Sequence, residues 1–119
     1  MHQEKVILGL IEPVTVIGKA GKEFKVLARI DTGATSSSID SVLANSLELA
    51  PSTVSKIIKS ALGIKKRPVV KIKIKMDGLL LEEDFNVADR SHMTYALLIG
   101  QNILKKGNFL IDPHKVKAL

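Results

Sequence analysis

The 119-residue sequence contains no cysteine and no tryptophan. Without cysteine there are no disulfides, no thiolate metal ligands and no cysteine nucleophile. Aromatic residues make up 3% of the chain, so the core must be aliphatic and there is little stacking surface for single-stranded nucleic acid. No apolar run approaches the ~20 residues of a membrane span, and residues 6–11 lack the pattern of a signal peptide. We expect one domain over residues 1–119, in the cytoplasm, with no membrane partner.

Charge is unevenly distributed in a chain whose formal net charge is +6. Residues 49–76 contain no acid but eight basic residues: Lys56, Lys59, Lys65, Lys66, Arg67, Lys71, Lys73 and Lys75. Such a surface attracts nucleic acid, an acidic peptide or an anionic cofactor, or it is a solvated lysine-rich sheet face. Nucleic acid is the disfavoured partner, because the lysines alternate along a strand without aromatics or a recognition-helix pattern.

The first third of the chain predicts short strands and a turn. Residues 4–11 and 13–18 are typical of strands broken near Pro13, and Gly18–Gly21 indicates a turn. Glu23–Ile30 is a strong strand that completes a hairpin with the segment before it.

A second hairpin is predicted further along the chain. Val69–Met76 alternates strictly, which places Val70, Ile72 and Ile74 on one face and the three lysines between them on the other. Asp77-Gly78 is a strong two-residue turn signal, and Leu79–Val87 then returns as the partner strand. These strand and turn patterns together predict a mainly β protein.

One or two short helices interrupt this β pattern. The candidates are Ser41–Leu47, capped by Asp40 or Ser41, and Gln101–Lys106, which ends near Gly107.

The segment RIDTGATSSSID places Asp31 directly after an apolar strand and before the small run Thr32-Gly33-Ala34. Glycine at this point allows a sharp turn and the close approach of another backbone. A purely structural alternative is an Asx turn, in which Asp31 bonds nearby amides. A second element strengthens a functional interpretation: residues 96–104, ALLIGQNIL, form an apolar strand that ends in glycine before a short helix.

These two segments resemble the retropepsin-like aspartic proteases, which pair Asp-Thr-Gly-Ala with a later apolar-apolar-Gly segment, here Leu98-Ile99-Gly100. The resemblance implies a closed β-barrel that forms one half-lobe of an acid protease, with Asp31 as the catalytic residue. It implies that Thr32 links two active-site loops, that Gly33 lets substrate approach and that Ala34 lines the cleft. Counting back from the Asp77-Gly78 turn, the flap tip falls near Gly63, beside the basic residues Lys65, Lys66 and Arg67.

A closer resemblance is to the RimK-associated or "ATP-dependent zinc" proteases. It rests on GLIEPV (9–14), ARIDTGA (28–34), ADRSHMTYALLIG (88–100) and GNFLIDP (107–113). The ADRSHMTY stretch is far more specific than Asp-Thr-Gly, and it adds Asp89, Arg90, Ser91 and His92 to the family motif. RimK-type ligases add glutamates to other molecules, so the resemblance also implies an acidic or glutamyl-containing substrate.

The residues themselves argue against zinc. The chain has three histidines, His2, His92 and His114, and no H-E-x-x-H pair. Many relatives have a histidine several residues after the DTGA segment, whereas Asp40 stands here. We predict neither a metal nor another cofactor, and expect His92 to tie Asp89 or Arg90 to the backbone.

An aspartic mechanism needs two carboxylates about 3 Å apart that share one proton. Because the chain has one Asp-Thr-Gly, the resemblance implies a twofold homodimer, with residues 109–119 joining an intersubunit sheet through Val116 and Leu119. Viral retropepsins commonly carry an acid and an arginine where this chain has Thr35 and Gln101, which leaves the dimer geometry open. Two hypotheses stand: a homodimeric aspartic peptidase acting on peptides, and a silent binding or regulatory module of the same fold in a glutamate-ligase pathway.

Overall fold

The computed structural model describes residues 4–49, 55–60 and 63–116 and shows a mainly β protein with two short helices in those ranges. The strands are β1 (Val6–Leu8), β2 (Ile11–Ile17), β3 (Glu23–Ile30), β4 (Ser37–Asp40), β5 (Ser55–Ser60), β6 (Gly63–Met76), β7 (Leu79–Ala88), β8 (Leu97–Ile99) and β9 (Phe109–Ile111). The helices are α1 (Ser41–Ser46) and α2 (Gln101–Leu104). None of the described helices is long and apolar enough to cross a membrane.

Six strands close into a barrel in the order β2-β3-β8-β4-β7-β6, and β6 pairs back onto β2 through Thr15–Ile17. Among the described strands, β5 pairs only with the first half of β6, so the β5–β6 hairpin is an addition to the six barrel strands. Closure leaves the barrel strands few unpaired edges. The predicted fold class, a closed retropepsin-like barrel, is confirmed.

The barrel is filled mostly by aliphatic side chains, as the scarcity of aromatics requires. Its fully buried residues include Val14, Val16, Ile39, Ile72, Ile74, Phe85, Leu97 and Ile99. The alternation predicted in β6 is present, since Val70, Ile72 and Ile74 are buried and Lys71, Lys73 and Lys75 are exposed. These three lysines form a solvated sheet face.

The predicted Asp77-Gly78 turn joins β6 and β7, and Met76 pairs with Leu79 across it. Both turn residues have positive φ, 49° for Asp77 and 80° for Gly78. This combination matches the backbone twist of a tight hairpin.

The prediction of a strand break near Pro13 is wrong. Strand β2 runs through Pro13, which pairs with Leu27 of β3, and the chain instead breaks at Gly9 and Leu10. Because β6 pairs with β2 only from Thr15 onward, Pro13 lies where β2 has no strand described on its other edge. A missing backbone N–H is tolerated at such an edge position.

The chain ends meet within one subunit. Strand β9 pairs in parallel with β1, through Val6↔Phe109 to Leu8↔Ile111. Residues 109–111 therefore already have a partner strand in their own chain, which the intersubunit-sheet prediction did not anticipate. Val116 is 85% exposed, and Leu119 lies outside the described residues.

Candidate active site

Asp31 lies at the point where β3 leaves the barrel. The parallel pairing of β3 with β8 ends at Ile30↔Ile99, and the Asp31 backbone N–H donates to the Ile99 carbonyl at 2.9 Å. The Asp31 side chain accepts from the backbone N–H of Gly33 at 2.9 Å, and Ala34 N–H donates to the Asp31 carbonyl at 3.3 Å. Two bonds inside the loop therefore fix the half-buried carboxylate at the surface.

The residues that follow β8 hold this loop through hydrogen bonds and a close backbone contact. Gln101 donates its backbone N–H to the Ala34 carbonyl at 2.7 Å and its side-chain amide to the Thr32 carbonyl at 2.8 Å. A Cβ added to Gly100 would overlap the Ser36 carbonyl oxygen and lie 2.7 Å from its carbon. Gly100 thus permits contact between two backbones, and Gln101 locks the loop with a neutral amide.

A chain of buried polar groups continues beneath the loop. Ser37 Oγ accepts from Gly100 N–H at 2.9 Å and donates to Asn102 Oδ1 at 2.7 Å. Asn102 in turn donates to the Asp84 carbonyl on β7 at 2.9 Å. Sequence reasoning missed Ser37, Gln101 and Asn102 as supports of the loop; the only available signal was their polarity next to apolar strands.

The ADRSHMTY loop is held by bonds among its own residues and by Asp40 at the end of β4. Arg90 donates its backbone N–H to Asp40 Oδ1 at 2.8 Å and its side-chain Nε to the Tyr95 carbonyl at 3.0 Å. Asp40 also caps α1 by accepting from Val42 N–H, so it connects that helix to this loop. Hydrogen bonds from Ser91, aided by the charges of His92 and Lys65, lower the pKa of Asp89.

The role predicted for His92 is not observed. Its side chain is exposed, and no hydrogen bond found among the described residues uses it. Asp89 accepts from Ser91 N–H at 2.9 Å, and Arg90 itself reaches the backbone, so the loop does not require His92.

A cleft of about 740 Å³ adjoins the Asp31 loop, a size typical of small-ligand sites. Its lining residues are Gly33, Ala34, Thr35, Ser36, Ser38, Ile57, Ile58, Arg67, Asn86, Arg90 and Leu98. Of the predicted site residues, the structure brings Arg67, Arg90 and Leu98 together with the loop. Gly63, with φ of 119°, stands at the end of the β5–β6 hairpin, and Lys65 and Lys66 are exposed along β6.

Arginine charge accumulates on one wall of this cleft. Burial, and next the positive charge of Arg67, lower the pKa of Arg90, against the opposing effects of Asp40 and Asp31. Arg67 and Arg90 thus make this cleft positively charged.

Across residues 4–49, 55–60 and 63–116, no three histidine or carboxylate side chains converge in a way that could hold a metal ion. The expected lack of a metal or cofactor stays a prediction.

Solved structures with this fold include several proteases. A Legionella pneumophila protein of unknown function, Lpg0085 (DUF785), matches with a TM-score of 0.69 and 22% identity over 96% of this chain and 98% of that one. EIAV protease in complex with the inhibitor HBY-793 matches with a TM-score of 0.59 and 20% identity, covering 79% and 85% of the two chains. The retroviral protease-like domain of Ddi1 from Leishmania major gives 0.55 and 21%, covering 83% and 75%. At these identities the likeness establishes the fold, which is that of the retropepsin-like proteases.

Sequence comparison identifies the family within that class. Residues 43–118, more than half of the chain, match the RimB-like family, described as retropepsin-like aspartic endopeptidase RimB. The chain belongs to this family. The matched segment contains the β5–β6 hairpin, the ADRSHMTY loop and Gly100, and begins after the Asp31 loop. No curated protein sequence matches the chain significantly.

Proposed function

We propose that the protein is a homodimeric aspartic endopeptidase in which each subunit supplies one Asp31. The observation that carries this proposal is the presentation of the Asp31 carboxylate at the barrel surface, on a loop held by Gly100 and Gln101, beside an open cleft. Membership of the RimB-like family supports it.

In the proposed mechanism the two Asp31 carboxylates of a dimer share one proton. The ionised carboxylate takes a proton from water as the water attacks an amide carbonyl, and the protonated one stabilises the developing oxyanion. Gly33, which has no side chain to obstruct the cleft, lets the substrate backbone pass close to the dyad. The hydrogen bonds of Thr32 and Ala34 to Gln101 keep the loop in one geometry, as an efficient dyad requires.

The dimer is supported by apolar residues exposed near the paired chain ends. Ile7, Leu10 and Leu110 are each between 41% and 51% exposed, and Val116 is 85% exposed. A stable dimer should bury well over ~1,000 Å² in total. Thr35 and Gln101 replace both partners of the charge pair common in viral enzymes, and losing both partners together is nearly neutral.

We further propose that the substrate is an acidic or glutamyl-containing peptide of the cytoplasm, connected with RimK-type ligation. The support is electrostatic. Lys65 and Lys66 are exposed on the β6 strand of the β5–β6 hairpin, and Arg67 lines the cleft. Basic side chains around a cleft concentrate acidic ligands there.

The alternative, a silent binding module, is favoured by one observation. The bond from Gly33 N–H to Asp31 is an Asx turn, which gives Asp31 a structural role that does not require catalysis. A peptidase must cleave, and pepstatin-type inhibitors must block it, whereas a binding module retains acidic peptides intact.

The decisive experiment compares the wild-type protein with Asp31→Asn on acidic peptides. The amide keeps the bond to Gly33 but cannot act as a base or share the dyad proton, so we expect a folded protein without activity. Turnover by the variant comparable to wild type would refute the aspartic mechanism, and loss of activity with chelators alone would indicate a metal enzyme. Sedimentation at micromolar concentration tests the dimer, and a stable monomer would favour the binding module.

A further inference from the structure

Two arginines from separate elements line the same cleft. Arg67 comes from β6, and Arg90 comes from the loop that follows β7. Among the ion pairs between described residues, neither guanidinium has a carboxylate partner. Arg67 instead donates through Nη1 to the amide oxygen of Asn86 at 3.1 Å, and Arg90 donates through Nε to the carbonyl of Tyr95.

Both guanidiniums are held in place by neutral oxygens. Asn86 is 3% exposed, and it is fixed by bonds from Ser38 Oγ at 2.7 Å and to the Ser37 carbonyl at 2.9 Å. Two like charges held together at the edge of a core oppose each other, and this repulsion contributes to the lowered pKa of Arg90. An anion bound between them would relieve that repulsion without requiring the side chains to be ordered first.

Ser36, another residue that lines the cleft, has a polar group without a partner among the described residues. The Ser36 hydroxyl oxygen is buried and has no hydrogen-bond partner in the described part of the chain, although Ser36 lines the cleft. Because this oxygen is buried, it does not contact a ligand in the open cleft, and the subsite does not depend on it. Ser36 belongs to the segment that follows Asp31–Ala34, which places it close to the candidate dyad.

We propose that Arg67 and Arg90 form a subsite that binds the side-chain carboxylate of an acidic residue in the substrate. The subsite gives selectivity next to Asp31, and its assignment as a substrate subsite rests on the proposed peptidase function. Arginine suits this role because its planar fork matches a carboxylate with two parallel hydrogen bonds, which lysine cannot do. Lys65 and Lys66, exposed on the β5–β6 hairpin, attract acidic peptides in general, whereas the two arginines bind one acidic side chain specifically.

The test measures binding, so that it does not depend on cleavage. Full-length Asp31→Asn protein is titrated calorimetrically with tetraglutamate blocked at both ends. The same protein is titrated with blocked tetraglutamine, and with tetraglutamine whose C-terminus is free. We expect tetraglutamate alone to bind, and Arg67→Gln or Arg90→Gln to raise its Kd at least about 10-fold, as expected for lost hydrogen bonds to a charged group.

Lys25→Gln is the matched control, because it removes one positive charge from an exposed position on β3 outside the cleft. We expect its Kd to stay within about twofold of the parent, since a distant surface charge is screened. Arg67→Lys and Arg90→Lys keep the charge and lose the fork, so they should also weaken binding. They serve as the test if a glutamine variant fails to fold.

Equal weakening in Lys25→Gln would mean that net charge alone attracts the peptide, and would overturn the subsite. Three other results would also overturn the subsite. Blocked tetraglutamine could bind as tightly as tetraglutamate, or tetraglutamate could fail to bind. Tetraglutamine with a free C-terminus could bind while blocked tetraglutamate does not, which would show that the cleft recognises a chain end. Failure of the peptidase proposal has a different signature: the wild type would leave tetraglutamate uncut while still binding it through the arginines.

Discussion

Glu12 is the buried acid whose loss should destabilise the fold most clearly. It is 2% exposed, and its Oε2 accepts from Gly9 N–H at 2.6 Å and lies 3.0 Å from Lys115 Nζ. These contacts join the segment before β2 to the segment after β9. The GLIEPV motif therefore contains a residue that ties the two chain ends together.

Glu12→Gln should lower the free energy of unfolding by about 2 kcal/mol. The charge-assisted bond to Gly9 becomes a neutral one, which removes part of the ~1.5–3 kcal/mol that such bonds contribute. Lys115 loses its buried partner, but it is 27% exposed and can recover some hydration, so the ~3–5 kcal/mol of a fully buried broken pair is an upper bound. The chain offers a matched control in Glu23→Gln. Glu23 pairs with Lys75 at 3.2 Å but is 48% exposed, so its loss should cost under ~1 kcal/mol.

Urea denaturation followed by circular dichroism, at one protein concentration for all variants, measures both values. Burial raises the pKa of Glu12, but hydrogen bonds with Gly9, Asp77 and Lys115 and the charge of Lys115 outweigh burial and lower the pKa below the ordinary 4.5. A lowered pKa contributes stability above the ordinary value that is lost as the pH falls through the folded-state value. The difference in the free energy of unfolding between wild type and Glu12→Gln should therefore become smaller as the pH is lowered. This reasoning would be refuted if Glu12→Gln and Glu23→Gln lowered the free energy of unfolding equally. It would also be refuted if the difference between wild type and Glu12→Gln became larger in acid.

Four further variants are informative. Burial and the neighbouring Glu12 raise the pKa of Asp77, so its ionised form opposes folding above that pKa. Asp77→Asn, which also suits a positive φ, should unfold at equal or higher urea at neutral pH; a clear loss of stability would contradict this. Gly100→Ala should cost ~1–3 kcal/mol through overlap with the Ser36 backbone. A Cβ added to Gly33 would meet only Asp31 Oδ1, at 3.3 Å, so Gly33→Ala should unfold at higher urea than Gly100→Ala. If Gly33→Ala unfolded at lower urea instead, overlap with the Ser36 backbone would not be the main effect of a side chain at position 100. Replacing exposed Lys65 and Lys66 with serine should raise KM at low salt but not kcat, and the effect should vanish near 1 M salt, where the Debye length is ~3 Å. A KM independent of salt and of both lysines would leave them as solvated surface residues.

The elements that could be predicted from the sequence are those with strong local signals. Strict alternation and the Asp77-Gly78 turn predict β6 and β7 because side-chain period and turn chemistry are local properties. Asp40, proposed as a helix cap, caps α1 because a short acid before a helix satisfies its free N–H groups.

Elements that depend on distant partners were missed. Strand β4 is a short run of serines, an isoleucine and an aspartate, and it becomes a strand because β7 and β8 flank it. Pro13 is a strand breaker in isolation, yet it is accommodated where β2 has a free edge. Arg67 and Arg90 line one cleft although they lie on β6 and on the loop after β7, and no sequence period encodes that tertiary arrangement.

The Asp31 loop is fixed by hydrogen bonds from its own chain, and this bears on what a dimer would contribute. Gly33, Gln101 and Ile99 already fix the loop, while Ser37 and Asn102 support the glycine beneath it. The entropy of ordering the loop is therefore lost when the subunit folds and does not weaken association. In the proposed enzyme, dimerisation then supplies the second carboxylate and does not have to order the Asp31 loop. A neutral Gln101 is sufficient in this arrangement, because it acts on the loop of its own subunit and needs no charged partner across an interface.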